Sequence, residues 1–121
     1  MPHERLQEYV IIDYTKGMAI LAVIEEDETE MVVGLGQYWI DETTHTAEVA
    51  FAVRDEYQGK GIGGVLLSYL TYLAKRQGLL GFVADVLADN RNMLNLFERQ
   101  GFDMERHAES GSYRLKMTFR D

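Results

Sequence analysis

Runs of apolar residues alternate with polar breaks along the chain, and the period inside each run predicts its structure. Residues 18–24 (MAILAVI) form a short, almost unbroken apolar run, the pattern of a strand covered on both faces. Residues 25–30 (EEDETE) are a charged turn. Residues 31–40 (MVVGLGQYWI) predict a second strand, with Gly34 and Gly36 marking a bulge or a close backbone approach. The two runs predict an antiparallel hairpin. After a loop at 41–45, residues 46–54 alternate: Ala47, Val49, Phe51 and Val53 point one way, and Thr46, Glu48, Ala50 and Ala52 the other. The period then becomes helical, with Ile62, Val65, Leu66, Tyr69, Leu70 and Leu73 on one stripe. Lys75 and Arg76 suit the last turn of that helix, and Gly78 can cap it.

Residues 81–87 (GFVADVL) predict another strand, and the helix before it makes a parallel crossover the expected connection. Asp89-Asn90 offers an N-cap for a short amphipathic helix carrying Met93, Leu94, Leu96 and Phe97 and ending at Gly101. Residues 102–106 and 112–119 predict a closing hairpin around Glu109-Ser110-Gly111. Ahead of all these, residues 6–14 (LQEYVIIDY) are apolar but irregular and read equally as a helix end or a lead-in strand. The predicted order is β-β-β-α-β-α-β-β, an α/β (α+β) domain with a mixed, mostly antiparallel sheet flanked by helices.

Composition narrows the function classes. A chain of 121 residues fits one domain, 1–121. It has no cysteine, which removes disulfides, thiolate metal sites and cysteine nucleophiles and suits a cytoplasmic protein. Net charge is −8, a poor match to nucleic acid. No run of eighteen apolar residues predicts a membrane span, and the polar start shows no signal-peptide core. His3, His45 and His107 are scattered without metal-ligand spacing, so no metal site is expected.

One stretch carries candidate chemistry. Gly59, Gly61, Gly63 and Gly64 place four glycines within six residues where a strand pattern gives way to a helix. The first N–H groups of a helix have no intrahelical partner, glycines let a ligand approach them, and the helix dipole attracts an anion. The stretch reads as a phosphate or pyrophosphate cradle. It is not a Walker A loop, because Gly61 follows Lys60 where Ser or Thr is needed. Gly59, Gly61 and Gly64 do spell G-x-G-x-x-G, with Asp85 about twenty residues on, as a dinucleotide fingerprint asks. However, four residues separate the first glycine from the strand, and the preceding strands do not form a βαβ unit.

Gln58-x-x-Gly61-x-Gly63, following a strand that ends at Val53-Arg54, resembles the coenzyme A pyrophosphate loop of the GNAT (GCN5-related N-acetyltransferase) superfamily. Asn90-x-x-Met93-x-x-Leu96-Phe97, with Gly101-Phe102 beyond, is similar to that family's second signature segment. Ile12-Asp13-Tyr14, Met18-Ala19, Ala47-Glu48 and residues 86–90 look like one branch, the acetyltransferase domain of bacterial protein-lysine acetyltransferases, often fused to a regulatory domain. The family's domain begins with a strand and usually two helices ahead of this point. With about fourteen residues there, the expectation is a truncated N-terminal strand and helices, the cover coming from a fused domain or a partner such as a second copy.

The resemblance implies acetyl-CoA as cosubstrate and an amine acceptor, protein lysine first and a small-molecule amine second. It implies that Phe51, Ala52 and Val53 pair with the cofactor's pantetheine arm, with Val53 N–H polarising the acetyl carbonyl. Gln58, Gly59, Lys60, Gly61, Ile62, Gly63 and Gly64 would hold the pyrophosphate, and Asn90 and Phe97 would contact the arm. Glu48 is the candidate general base. It is the one charged residue in 46–53, and burial among apolar neighbours would tune it; the alternative is a structural glutamate that pairs with a lysine or arginine or faces solvent. Many family members carry a tyrosine acid where Phe97 stands. Water, Tyr57 or Tyr113 would have to replace it, or the domain is a non-catalytic acyl-CoA sensor. Tyr38 and Trp39 are expected in the core or along a substrate channel.

Overall fold

The computed structural model describes residues 5–120; residues 1–4, His3 and the polar start among them, and residue 121 lie outside the described residues. Seven strands form one sheet in the order β1-β2-β3-β4-β5-β7-β6. They are β1 (Arg5–Tyr14), β2 (Gly17–Glu26), β3 (Thr29–Asp41), β4 (Thr46–Val53), β5 (Gly81–Leu87), β6 (Asp103–Glu109) and β7 (Ser112–Thr118). Helices α1 (Ile62–Arg76) and α2 (Arg91–Arg99) occupy the connections on either side of β5, and a single 3-10 turn covers Asp55–Tyr57. The β4–β5 pair is parallel and every other pairing antiparallel.

Of the two readings of the N-terminal stretch, the lead-in strand holds, and it runs to ten residues. Residues 5–14 form a full strand paired with β2, and Thr15-Lys16 alone separates the two, with no helix between them. Its pattern is irregular for two physical reasons. The register slips between Leu6 and Glu8, and β1 is an edge strand whose Ile11 is half exposed although it stands opposite fully buried Ile20. Four strands therefore precede α1, the lead-in strand among them.

Both helices pack on one face of the sheet. A Cβ on Gly34 would lie 3.0 Å from Ile62 Cγ2, and one on Gly36 would lie 2.9 Å from the Phe51 ring and 3.0 Å from Leu70 Cδ1. So Gly36 makes room for Phe51 and α1 rather than for backbone, and the bulge lies beside Gly34. There β2 and β3 step from Ala22–Gly34 to Val23–Val32, leaving Val33 as the extra residue. Tyr38, Val49, Leu66, Leu70, Phe82, Phe97 and Leu115 fill this core, and Phe82 meets Phe102 and Phe119 edge to face. Tyr38 is a core residue whose hydroxyl donates to Gln77 Oε1. The α1 end matches its sequence signal: Gly78 is left-handed, and Leu79 N donates to Ala74 O at 3.0 Å.

A forked sheet and a candidate cofactor cradle

Three rungs join β4 to β5: Thr46–Gly81, Ala47–Phe82 and Glu48–Val83. Beyond them the strands part. β4 continues to Val53 along β3, and β5 continues to Leu87 along β7. The fork leaves residues 49–53 of β4, including Phe51, Ala52 and Val53, without a β5 partner on that side. This is the kind of edge an extended chain can join by backbone hydrogen bonds.

The chain leaves β4 through Arg54, whose N–H and Nε donate to Val33 O and Val32 O at the bulge (2.8 and 3.0 Å). Gln58 Nε2 then donates back to Val53 O at 3.1 Å and to Asp55 Oδ1 at 3.2 Å, which folds the loop against the end of β4. Tyr57 is buried, its hydroxyl donates to Glu26 Oε2 at 3.4 Å, and Lys60 Nζ lies 5.1 Å from its ring centroid. Gly59 and Gly61 have φ of +78° and +85°, and a Cβ on either would meet nothing within 4 Å. These two positions need glycine for conformation and open onto free space.

Gly61 caps α1, and the first helical bond runs from Val65 N to Gly61 O at 3.1 Å. The N–H groups of Ile62, Gly63 and Gly64 precede that bond. No side chain caps them, and the first turn carries no acid. Gly63 has a second role, because a Cβ there would lie 3.3 Å from Leu96 Cδ2 of α2. Such a terminus suits a phosphate. A groove of about 710 Å³ continues from Gly61 and Gly64 along α1, past Tyr69 and Tyr72, to Gln100.

Phe97, 1% exposed, meets the Phe51 ring edge to face at 5.9 Å, so α2 closes the fork on the helical side. Asn90 Oδ1 accepts from Met93 N at 3.2 Å and caps α2. Tyr113 stands opposite Val86, with the Arg106 guanidinium 5.8 Å from its ring.

Glu48 sits at the apex of the fork on the other face, and its surroundings differ from the expectation. It is not buried among apolar side chains. Its carboxylate is half exposed and ion-paired, with Arg114 Nη1 2.9 Å from Oε2. The same nitrogen lies 2.8 Å from Asp85 Oδ2. The strand alternation had assigned the correct face, but both helices cover the opposite one. Trp39, 49% exposed, is the cross-strand neighbour of Glu48 on this open face and not a core residue. The sequence allows an arginine or lysine partner for Glu48 but does not single out Arg114, and Asp85 entered only through the dinucleotide fingerprint. Nothing local marks them, because Arg114 is 66 residues from Glu48 and only strand register brings them together.

The forked mixed sheet thus sets an open strand edge beside a glycine-rich helix entry that suits a phosphate. This topology also removes the dinucleotide reading, since the strand before the glycines ends an antiparallel meander. The acetyltransferase (GNAT) family model matches residues 1–102, and the chain belongs to that family. It is 31% identical over 107 residues to acetyltransferase PA5475 of Pseudomonas aeruginosa, covering 88% of this chain and 58% of that protein. It is 47% identical over 55 residues to acetyltransferase Pat of Mycolicibacterium smegmatis, 46% of this chain and 16% of that protein. The crystal structure of the GNAT domain of S. lividans PAT superposes with a TM-score of 0.75 at 28% identity, over 89% of this chain and 64% of that one. The chain thus spans under two-thirds of the length of each of these relatives.

Proposed function

We propose that this domain, residues 1–121, transfers an acetyl group from acetyl-CoA to a primary amine, with protein lysine as the first acceptor class. The observation that carries the reading is the coincidence of the fork with the cradle on one continuous segment, 48–64. The last β4–β5 rung lies at Glu48, the free β4 edge runs to Val53, and the uncapped helix entry follows at once. The lysine preference rests on the sequence resemblance to bacterial protein-lysine acetyltransferases.

When bound, acetyl-CoA supplies an activated thioester, and the chain's own groups do the rest. The N–H groups at Ile62, Gly63 and Gly64 hold the pyrophosphate, with Gln58, Gly59, Lys60 and Gly61 shaping the loop around it. The groove beside Tyr69 and Tyr72 receives the nucleotide half. Backbone groups of Phe51, Ala52 and Val53 align the arm, Asn90 and Phe97 bound it from α2, and Val53 N–H polarises the carbonyl. Glu48 faces the helix-free side. It accepts a proton from the incoming ammonium through water, so that a neutral amine reaches the carbonyl. Attack by the neutral amine would form the nitrogen–carbon bond and break the carbon–sulfur bond, the nitrogen giving its second surplus proton to water and the departing thiolate taking one from water. Phe97 has none to give, and the Tyr57 hydroxyl is engaged by Glu26.

That missing acid favours a second reading, an acyl-CoA sensor without turnover. Glu48→Gln separates the two in an assay with acetyl-CoA and a lysine peptide followed by mass spectrometry. The enzyme loses most of its rate and keeps cofactor affinity. A wild-type chain that binds acetyl-CoA but acetylates neither peptides nor small amines is a sensor.

A further inference from the structure

Arg114 lies on β7, directly opposite Asp85 of β5, and Val83, two residues before Asp85 on the same face, lies opposite Glu48 of β4. The arginine therefore reaches over β5 from β7 to β4. One nitrogen, Nη1, makes both contacts, donating to Glu48 Oε2 and to Asp85 Oδ2. The bridge sits just past the last backbone rung between β4 and β5, where the strands no longer hold each other.

From this geometry we propose that Arg114 is a positioning residue for acetyl transfer: it fixes the Glu48 carboxylate at the mouth of the fork, with Asp85 anchoring the arginine. The inference rests on Glu48 being the base. A glutamate on an exposed strand face has several open rotamers, and a base has to be held within hydrogen-bond reach of the proton it takes. Stability is a weak reason for such a bridge. All three side chains are more than a third exposed, and ion pairs of that kind contribute little to folding. A hydrogen-bonded arginine that selects one rotamer and leaves the second Glu48 oxygen for water accounts for the arrangement. Asp85 supplies the other half: without it the guanidinium is free to swing away from β4.

The test is a kinetic cycle on the full chain with Arg114→Met, Arg114→Lys, Asp85→Asn, Glu48→Gln and the Glu48→Gln/Arg114→Met double variant. Arg114→Met is expected to lower kcat roughly 10- to 100-fold, the scale of a misplaced catalytic group, while KM for acetyl-CoA stays within about twofold. Arg114→Lys restores part of the rate, and Asp85→Asn gives a smaller loss in kcat alone. The double variant is no slower than Glu48→Gln. Unchanged kcat in Arg114→Met, or an equal further loss when it is added to Glu48→Gln, overturns the proposal. Full activity in Glu48→Gln overturns the base assignment itself, and the positioning role with it.

Discussion

Glu48 on β4 stands opposite Val83 on β5, and that rung is the last the two parallel strands share. The base candidate is thus fixed at the point where the sheet opens. One residue earlier it would lie within a closed ladder. One residue later its side chain would point to the helical face, because side chains alternate along a strand. The helix-covered face and the open face serve different partners in this account. The cofactor's phosphates meet α1 on one, and the acceptor approaches Trp39 and Glu48 on the other.

Asn90 separates a structural from a ligand role. Its Oδ1 caps α2 through Met93 N, and its amide N–H2 remains a donor. Asn90→Ala is expected to cost about 1 kcal/mol in urea unfolding. Asn90→Asp keeps the cap and loses the donor, so its stability should match the wild type while acetyl-CoA binding weakens. Equal affinity in all three proteins would confine Asn90 to capping.

The glycines facing side chains and those facing backbone should differ in tolerance. Gly36→Ala presses on the Phe51 ring and Leu70, both able to give a little, and should cost about 1–3 kcal/mol. Gly81→Ala drives its Cβ into Met117 O across the β5–β7 ladder, which cannot yield without opening the sheet. A thermal melt should show a fall of several degrees for the first and failure to fold, or a far larger fall, for the second. The reverse order would contradict the packing described.

Tyr38 predicts a high-pH limb. Burial, and secondarily the charge of Asp13, pushes its phenol up to about 12, above the ordinary tyrosine range. Burial also raises Tyr9, with Tyr69 adding to it. The folded state holds these protons after the unfolded chain has released them. The stabilisation is complete below pH 10 and is lost as pH rises from there through about 12. For Tyr38 it is on the order of 3 kcal/mol. Tyr38→Phe should flatten this limb in unfolding curves at pH 9–12, at the cost of the hydrogen bond to Gln77. An unaltered limb would assign it to other groups.

Gln58 is the latch between the end of β4 and the loop. Gln58→Ala should weaken acetyl-CoA binding several-fold with little change in melting temperature, since the latch is exposed and orders a loop rather than the core. A large stability loss with unchanged affinity would make it a folding residue only.

The parts of this molecule legible in sequence are those written in local code. Residues 62–76 carry their period, a basic last turn and a capping glycine within one stretch, and β4 carries a clean alternation, so both were readable. The edge strand β1 was not, because a register slip and partial exposure blur its period. Nor was the environment of Glu48: alternation tells which face a residue takes, whereas the placement of both helices decides whether that face is covered. The Arg114–Asp85–Glu48 bridge lies furthest from local code. It exists only because β7 pairs with β5 in one register and β5 with β4 in another.

The central claim is that the fork and the uncapped start of α1 hold coenzyme A, and calorimetric titration with acetyl-CoA, free CoA and NAD tests it most directly. The account predicts saturable binding of acetyl-CoA and CoA, weakening as salt rises because the site grips phosphates, and no heat with NAD. Binding of NAD with silence toward both coenzyme A forms would contradict it.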